Sequence, residues 1–393
     1  MEAYIVDWLN LLARWLHLVA GVAWIGASFY FVMLDNSLSP PRPGEGRRGV
    51  SGELWAVHGG GFYHSRKFPT GPKEEPLPEE LHWSKWEAYT TWLSGMALLA
   101  LVYWYGASTY LIDRSVMPLS PGAAVAISVA FIGGGWLVYD FLCRMLAGRE
   151  NVLAGAMLAL VLAAAWALFH LFGARAAYVH VGAMLGTLMA ANVFFHIIPG
   201  QKRMLADIRA GRAPDPTPGV IGKQRSVHNT YFTLPVLFAM ISVHYPMTYG
   251  HAQGWIVLGV IMLAGVFIRQ YYVLRHKGRA SLLLPALAIV LLAGLAVALA
   301  PRPTVAASRA APFAEVMAVL DARCVACHAA TPSRFGFVQP PKGVVLETAE
   351  QIGQHAAKIA ETVGNRTMPI GNLTQMTDDE RALVAAWFAQ RAR

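Results

Sequence analysis

Eight stretches of about twenty mainly apolar residues, at 11–34, 88–110, 122–144, 152–172, 177–198, 231–249, 254–274 and 281–300, constrain this chain more than any motif in it. A helix of roughly 20 apolar residues crosses the hydrocarbon core of a bilayer. Residues 1–300 therefore read as an eight-helix transmembrane bundle, all-α in class. Only 14% of the residues are charged, against roughly 25% in soluble domains, which excludes one water-soluble globule. From Pro312 to Arg393 the character changes: eight acids and eight bases mark a small polar domain, joined by a short linker at 301–311.

The formal charge of +9 lies almost wholly in the first part, and its distribution fixes an orientation. The odd-numbered connections hold Arg42, Arg47, Arg48, Arg66, Lys67, Lys73, Lys85, Arg144, Arg149, Lys202, Arg203, Arg209, Arg212, Lys223, Arg225, Arg275, Lys277 and Arg279, whereas the even ones hold only Arg114 and Arg175. Eighteen against two puts the odd connections in the cytoplasm and both termini outside. Met1 to Asn10 lacks the basic start and cleavage site of a secretory signal, so the first span reads as an uncleaved anchor. No basic, aromatic-interleaved patch points to nucleic acid.

Two connections are long. The cytoplasmic loop 35–86 offers Glu53 to His58 and Phe62 to Phe68 on either side of Gly59, Gly60 and Gly61, which reads as a hairpin. The segment Pro199 to Thr230 is basic at both ends and turn-rich between.

The clearest chemistry is Cys324-Val-Ala-Cys327-His328, the C-x-x-C-H pattern of covalent haem attachment. Two thiols three apart can each add to a haem vinyl group while the adjacent imidazole reaches the iron. Met368, followed by Pro369, fits the second axial position, with Met376 as the weaker choice. Phe313 to Leu320 reads as a first helix, and Thr377 with Glu380 forms a capping box opening a last one, whose apolar stripe is Leu383, Val384, Trp387 and Phe388. The tail thus resembles a class I cytochrome c. A zinc site needs four ligands and only His355 is spare, and a redox dithiol needs a βαβ setting that is missing. The third cysteine, Cys143, reads as packing. Haem is attached outside the bacterial cytoplasm, where the charge count independently puts the C-terminus.

Ionisable groups at membrane depth default to functional hypotheses. His17, His170, His180 and His244 fall near the outer ends of their spans. Arg14, His17, Gly21, Trp24 and Ser28 share one face of the first span. Gly182 and Gly186 are placed for tight helix contact, and Asn192 and His196 share a face nearer the cytoplasm. Three readings stay open: ordinary hydrogen-bonded groups, a b-type haem held between two imidazoles, or a pocket in which Arg14 holds an anion and His17 moves protons. On the cytoplasmic side, the His58, Gly60 and His64 turn offers either an anion-binding nest or a plain hairpin turn.

Over almost the whole chain the sequence resembles the membrane-bound, cytochrome c-containing urate oxidase (urate hydroxylase) family. The likeness lies in R-W-L-H-L-V-A-G-V-A-W-I-G at 14–26, W-A-V-H-G-G-G-F-Y at 55–63, L-H-W-S-K-W-E-A-Y-T-T-W at 81–92, N-V-F-F-H-I-I-P-G-Q at 192–201, and the C-x-x-C-H tail with T-M-P-I-G-N at 367–372. The resemblance implies oxidation of urate to 5-hydroxyisourate, with water supplying the hydroxyl. Two electrons would leave one at a time through the c-type haem to a soluble cytochrome c or terminal oxidase, without hydrogen peroxide. It also implies a multi-pass protein of the bacterial inner membrane with a periplasmic tail. A planar anion such as urate needs a cation or N–H nest, a stacking ring and a base. Arg14, His17 and Trp24, with His180 and His244 near them, supply one set close to the tail, and the His58–His64 turn supplies another. The outer set is the simpler expectation, because it spares a relay across roughly 30 Å of hydrocarbon. The competing expectations are a quinol-oxidising membrane protein with a fused cytochrome c and, with no inverted repeat in support, a transporter with an accessory cytochrome.

Overall fold

The computed structural model describes residues 1–276, 278–300, 311–334, 337 and 339–391. The first ten residues of the expected linker lie outside these. The order of elements follows from apolar runs punctuated by proline and glycine. Helix α1 (Glu2–Asn36) is followed by strands β1 (Gly52–His58) and β2 (Gly61–Lys67), then α2 (Trp86–Leu99), α3 (Pro121–Met145), α4 (Glu150–Phe169), α5 (Ala174–Ala191), α6 (Ile198–Arg209) and α7 (Thr217–Ile241). A short α8 (Pro246–Tyr249) precedes α9 (Gly254–His276) and α10 (Leu283–Ala298).

Among the described residues, five helices are long and apolar enough to cross a membrane: α1 from Tyr4, α3, α4, the continuous run Ala174–Arg209, and α9. The other three expected spans coincide with helix of a different kind. The second divides after α2 into π-helical turns at Ala100–Trp104 and Ala107–Leu111. Between them Gly106 is required, since a Cβ there would sit 2.6 Å from the Val102 carbonyl oxygen. The sixth begins earlier than its apolar run, because α7 starts at Thr217 in polar sequence. The last is the 16-residue α10.

Pro199 does not end the fifth span. It has no N–H to donate to the carbonyl one turn back. The helix accommodates this with a π-helical stretch at Asn192–Ile197 and then continues as α6. The expected loop at 199–230 shrinks accordingly to the turn between α6 and α7.

Helix α5 is the centre of the bundle, with Tyr178, Val181, Leu185 and Leu188 buried against α3, α4 and α7. Gly182 allows α7 to approach so closely that a Cβ would lie 2.7 Å from Ala239 Cβ. The expectation for Gly186 does not hold, since nothing lies within 4 Å of its Cβ position. On α1, Trp15, Leu18 and Val22 are exposed, as a lipid-facing stripe requires. The hairpin forms as read, with antiparallel β1 and β2 in register from Gly52 opposite Lys67 to His58 opposite Gly61. Gly59 and Gly60 both have positive φ, +58° and +81°, as a two-residue type I′ turn demands.

The tail contains α11 (Phe313–Leu320), α12 (Ala326–His328), α13 (Ala349–Gln354), α14 (Ala356–Gly364) and α15 (Asp378–Arg391). The capping box closes as expected. Glu380 N–H donates to Thr377 Oγ1 at 3.2 Å, and Thr377 N–H to Glu380 Oε2 at 2.7 Å. Val316, Leu320, Val384 and Trp387 form its core, with Phe313 stacked on Trp387 at 5.6 Å. The tail sits on one end of the bundle. Gly371 meets the carbonyl oxygens of Thr109 and Ile112, and Asn365 meets Gly250.

Candidate functional site

In the tail, Cys324 lies on a π-helical turn after α11, and Cys327 and His328 lie on α12. Both thiols are unpaired. Burial pushes the Cys324 thiol up to about 12 and raises Cys327 as well. This is opposite to the depressed thiol of a redox dithiol. His328 Nδ1 donates to the Val344 carbonyl at 2.9 Å, which leaves Nε2 as the nitrogen with a free lone pair. Among the described residues no group of three or more His, Cys, Asp or Glu is arranged to hold a metal ion. Two free thiols one helical turn apart and an oriented imidazole fit a covalently attached haem.

Met368 is half-buried and Met376 is buried in the tail core. Arg381 of α15 clamps the loop between α14 and α15: its Nη1 donates to the carbonyls of Val363 and Met368, both at 2.8 Å, and its Nη2 to Asn372 Oδ1 at 3.2 Å. Asn372 in turn accepts from Met376 N–H at 3.0 Å.

The outer-end residues are spread over several contacts. Arg14 is exposed and donates to Asn10 Oδ1 at 3.0 Å, one turn earlier on the same helix. His17 donates from Nδ1 to the Thr91 carbonyl at 2.9 Å and packs over Gly95, tying α1 to α2. Trp24 packs beside Ala88, Val193 and Ile198. His180 is fully buried with both nitrogens occupied: Nδ1 donates to the Ala176 carbonyl at 2.8 Å, and Nε2 accepts from Ser128 at 2.8 Å. Trp104 Nε1 completes that chain by donating to Ser128 Oγ at 2.9 Å. His244 is exposed, and His170 is exposed and donates to the Trp166 carbonyl at 2.7 Å. Among the described residues no hydrogen bond or ring contact joins Arg14, His17, His180 and His244. In the hairpin, His58 and Gly60 are exposed, while His64 stacks on Trp55 at 4.3 Å and bonds Glu53 Oε2 at 2.8 Å.

The densest polar centre lies at the other end of the bundle, where α3, the π-helical stretch and α7 meet. Asp140 Oδ1 accepts from Arg225 Nη2 and from His196 Nε2, each at 2.7 Å, and its Oδ2 forms an ion pair with Arg144 Nη2 at 2.7 Å. Beside it runs a second chain of hydrogen bonds whose direction can be derived. The Met189 carbonyl can only accept, so Asn229 must turn its Nδ2 toward it, at 3.0 Å. Asn229 Oδ1 then faces Asn192, which must donate from Nδ2, at 2.9 Å, and also to Tyr139 Oη at 2.9 Å. Tyr139 therefore gives its own proton to His228 Nδ1, at 2.9 Å. The proton of His228 is left on Nε2, facing Glu150 Oε2 at 3.8 Å. Arg225 also lies 4.9 Å over the Tyr139 ring.

Asn192 and His196 were legible in sequence as one face of the fifth span. Tyr139, Asp140, Glu150, Arg225, His228 and Asn229 were not. Arg225 counted as a loop charge, because α7 begins in polar sequence. The signal was the spacing of Arg225, His228 and Asn229, which puts all three on one helix face.

These features define a helical bundle of membrane type, with an enclosed ionisable centre at one end and a tail bearing two thiols and an oriented imidazole on the other. The chain belongs to a urate-oxidase-related family: the family model for the urate oxidase N-terminal region matches residues 3–300. No curated protein and no solved structure matches the chain.

Proposed function

We propose that this protein is a membrane urate oxidase that converts urate to 5-hydroxyisourate and delivers the electrons to a c-type haem in its own tail, for onward transfer to a soluble cytochrome c or terminal oxidase. The observation that carries this reading is the union, in one chain, of the urate oxidase N-terminal match with a tail whose Cys324 and Cys327 are unpaired and whose His328 keeps Nε2 free. A covalent haem held by Cys324, Cys327, His328 and Met368 would supply one-electron acceptance there. Around it, His328 is oriented by the Val344 carbonyl, and the Met368 loop is held by Arg381.

Eight spans, with the odd connections in the cytoplasm and the tail in the bacterial periplasm, complete the proposal. Its supports are the eighteen-to-two charge asymmetry and the seat of the tail on Thr109, Ile112 and Gly250, which belong to the basic-poor end. A membrane oxidase of this type makes no peroxide, because its electrons leave through the tail and not to oxygen. Purified protein given urate, oxygen and a soluble cytochrome c should reduce the cytochrome without forming hydrogen peroxide. Peroxide equimolar with the urate consumed would reassign it to oxygen-reducing chemistry.

A further inference from the structure

We propose that the enclosed centre around Arg225 binds a planar, ureide-bearing anion of the urate class between Arg225 and Asn192, with Tyr139 and His228 placed to receive its proton; the choice of ligand rests on the urate reading above. Arg225 is 2% exposed, and its Nε and Nη1 have no hydrogen-bond partner. Asn192 is fully buried, and its Oδ1 is likewise unpartnered. Enclosed donors and acceptors are costly to leave unsatisfied, so native structures supply them with a partner. Both residues border Tyr139, Asn192 through its hydrogen bond to the hydroxyl and Arg225 through its place over the ring.

Charge and hydrogen-bond pattern together select the ligand. Asp140 is shared by the guanidiniums of Arg225 and Arg144, so one carboxylate faces two cations and Arg225 lacks a full counter-charge. An anion supplies it. The ligand must also accept from Arg225 and donate to Asn192 Oδ1. Carboxylate and quinone oxygens only accept, and phosphate donates only through a protonated oxygen, whereas an oxopurine alternates C=O with N–H in one plane and answers both. The derived direction of the second chain matters here. Tyr139 already points its proton at His228 Nδ1, so a proton arriving at the phenol oxygen can be passed on, with Glu150 facing the far side of the imidazole. The centre reaches the surface at Arg144 and Glu150, whose side chains are 70% and 59% exposed.

The test is equilibrium binding of radiolabelled urate to the full-length haem-loaded protein in nanodiscs, with haem reduction measured separately. Wild type should bind urate saturably, and an equal concentration of phosphate should not displace it. Arg225→Gln should weaken binding about 100-fold and Asn192→Leu about 10-fold. His228→Gln, acting through Tyr139, should leave affinity unchanged and slow urate-driven haem reduction about 100-fold. Should Arg225→Gln not accumulate, Asn192→Leu carries the same comparison. Wild-type affinity in both binding variants, or displacement by phosphate, would overturn the assignment. If haem is reduced by urate and Arg225→Gln does not matter, this site falls and the urate reading stands. If urate binds in an Arg225-dependent way without reducing haem, the site stands and the oxidase reading falls.

Discussion

At the scale of single residues, the buried carboxylate of Asp140 is the most consequential side chain in the bundle. It is the carboxylate paired with Arg225 inside the protein, shared with Arg144, and it holds His196 in place. Asp140→Asn keeps the shape but strands a buried guanidinium, so it should destabilise the protein by about 3–5 kcal/mol, read as a lowered thermal midpoint in detergent. An unchanged midpoint would mean that the centre is solvated. In the tail, Met368→His should lower the haem potential and slow onward transfer while covalent attachment persists, because Cys324, Cys327 and His328 are untouched. An unchanged potential would point to Met376 as the sulfur that holds the haem. These residues were unequally legible in the sequence. C-x-x-C-H is a local pattern and could be read directly. The Asp140 centre is assembled from α3, the π-helical stretch and α7, and no local pattern announces a contact between residues 85 apart in the chain. At the outer end, likewise, a shared helix face does not fix which partners its residues take. Arg14 and His17 share a helix face, yet Arg14 turns to Asn10 while His17 turns to α2.

At the scale of elements, apolar run length located helices well and their ends poorly. The hairpin and the capped last helix were legible because turn and cap residues act locally. Pro199 misled because a π-helical stretch absorbs its missing N–H, and that stretch carries Asn192 and His196 into the polar centre. The seat of the tail offers a clean perturbation at Gly250. Its φ of −73° suits any residue, but a Cβ would lie 2.3 Å from the Asn365 carbonyl oxygen. Gly250→Ala should therefore push the tail off the bundle, with a lesser clash against the Pro246 carbonyl oxygen of α8, 2.8 Å from the same Cβ. Urate-driven haem reduction should slow by about 10-fold or more, while haem content and the tail's own midpoint stay as in wild type. A wild-type rate would show that this contact does not position the tail.

At the scale of the whole molecule, the polar centre and the tail occupy opposite ends of the bundle. From Pro121, beside the tail's seat, to Asp140 is 19 residues of α3, or roughly 28 Å. Aromatic rings occupy part of that distance: Tyr139 contacts Phe232 at 6.0 Å, Tyr178 contacts Phe238 at 6.3 Å, and Tyr178 contacts Tyr249, next to Gly250, at 6.0 Å. The proposed function requires a urate-binding bundle and an electron-accepting tail to work together within one chain. The most direct test is anaerobic stopped-flow mixing of urate with the oxidised, haem-loaded full-length protein, followed at the haem absorbance. The haem should be reduced without oxygen, at a rate that saturates with urate concentration. No reduction by urate, with prompt reduction by a quinol, would contradict the proposed function.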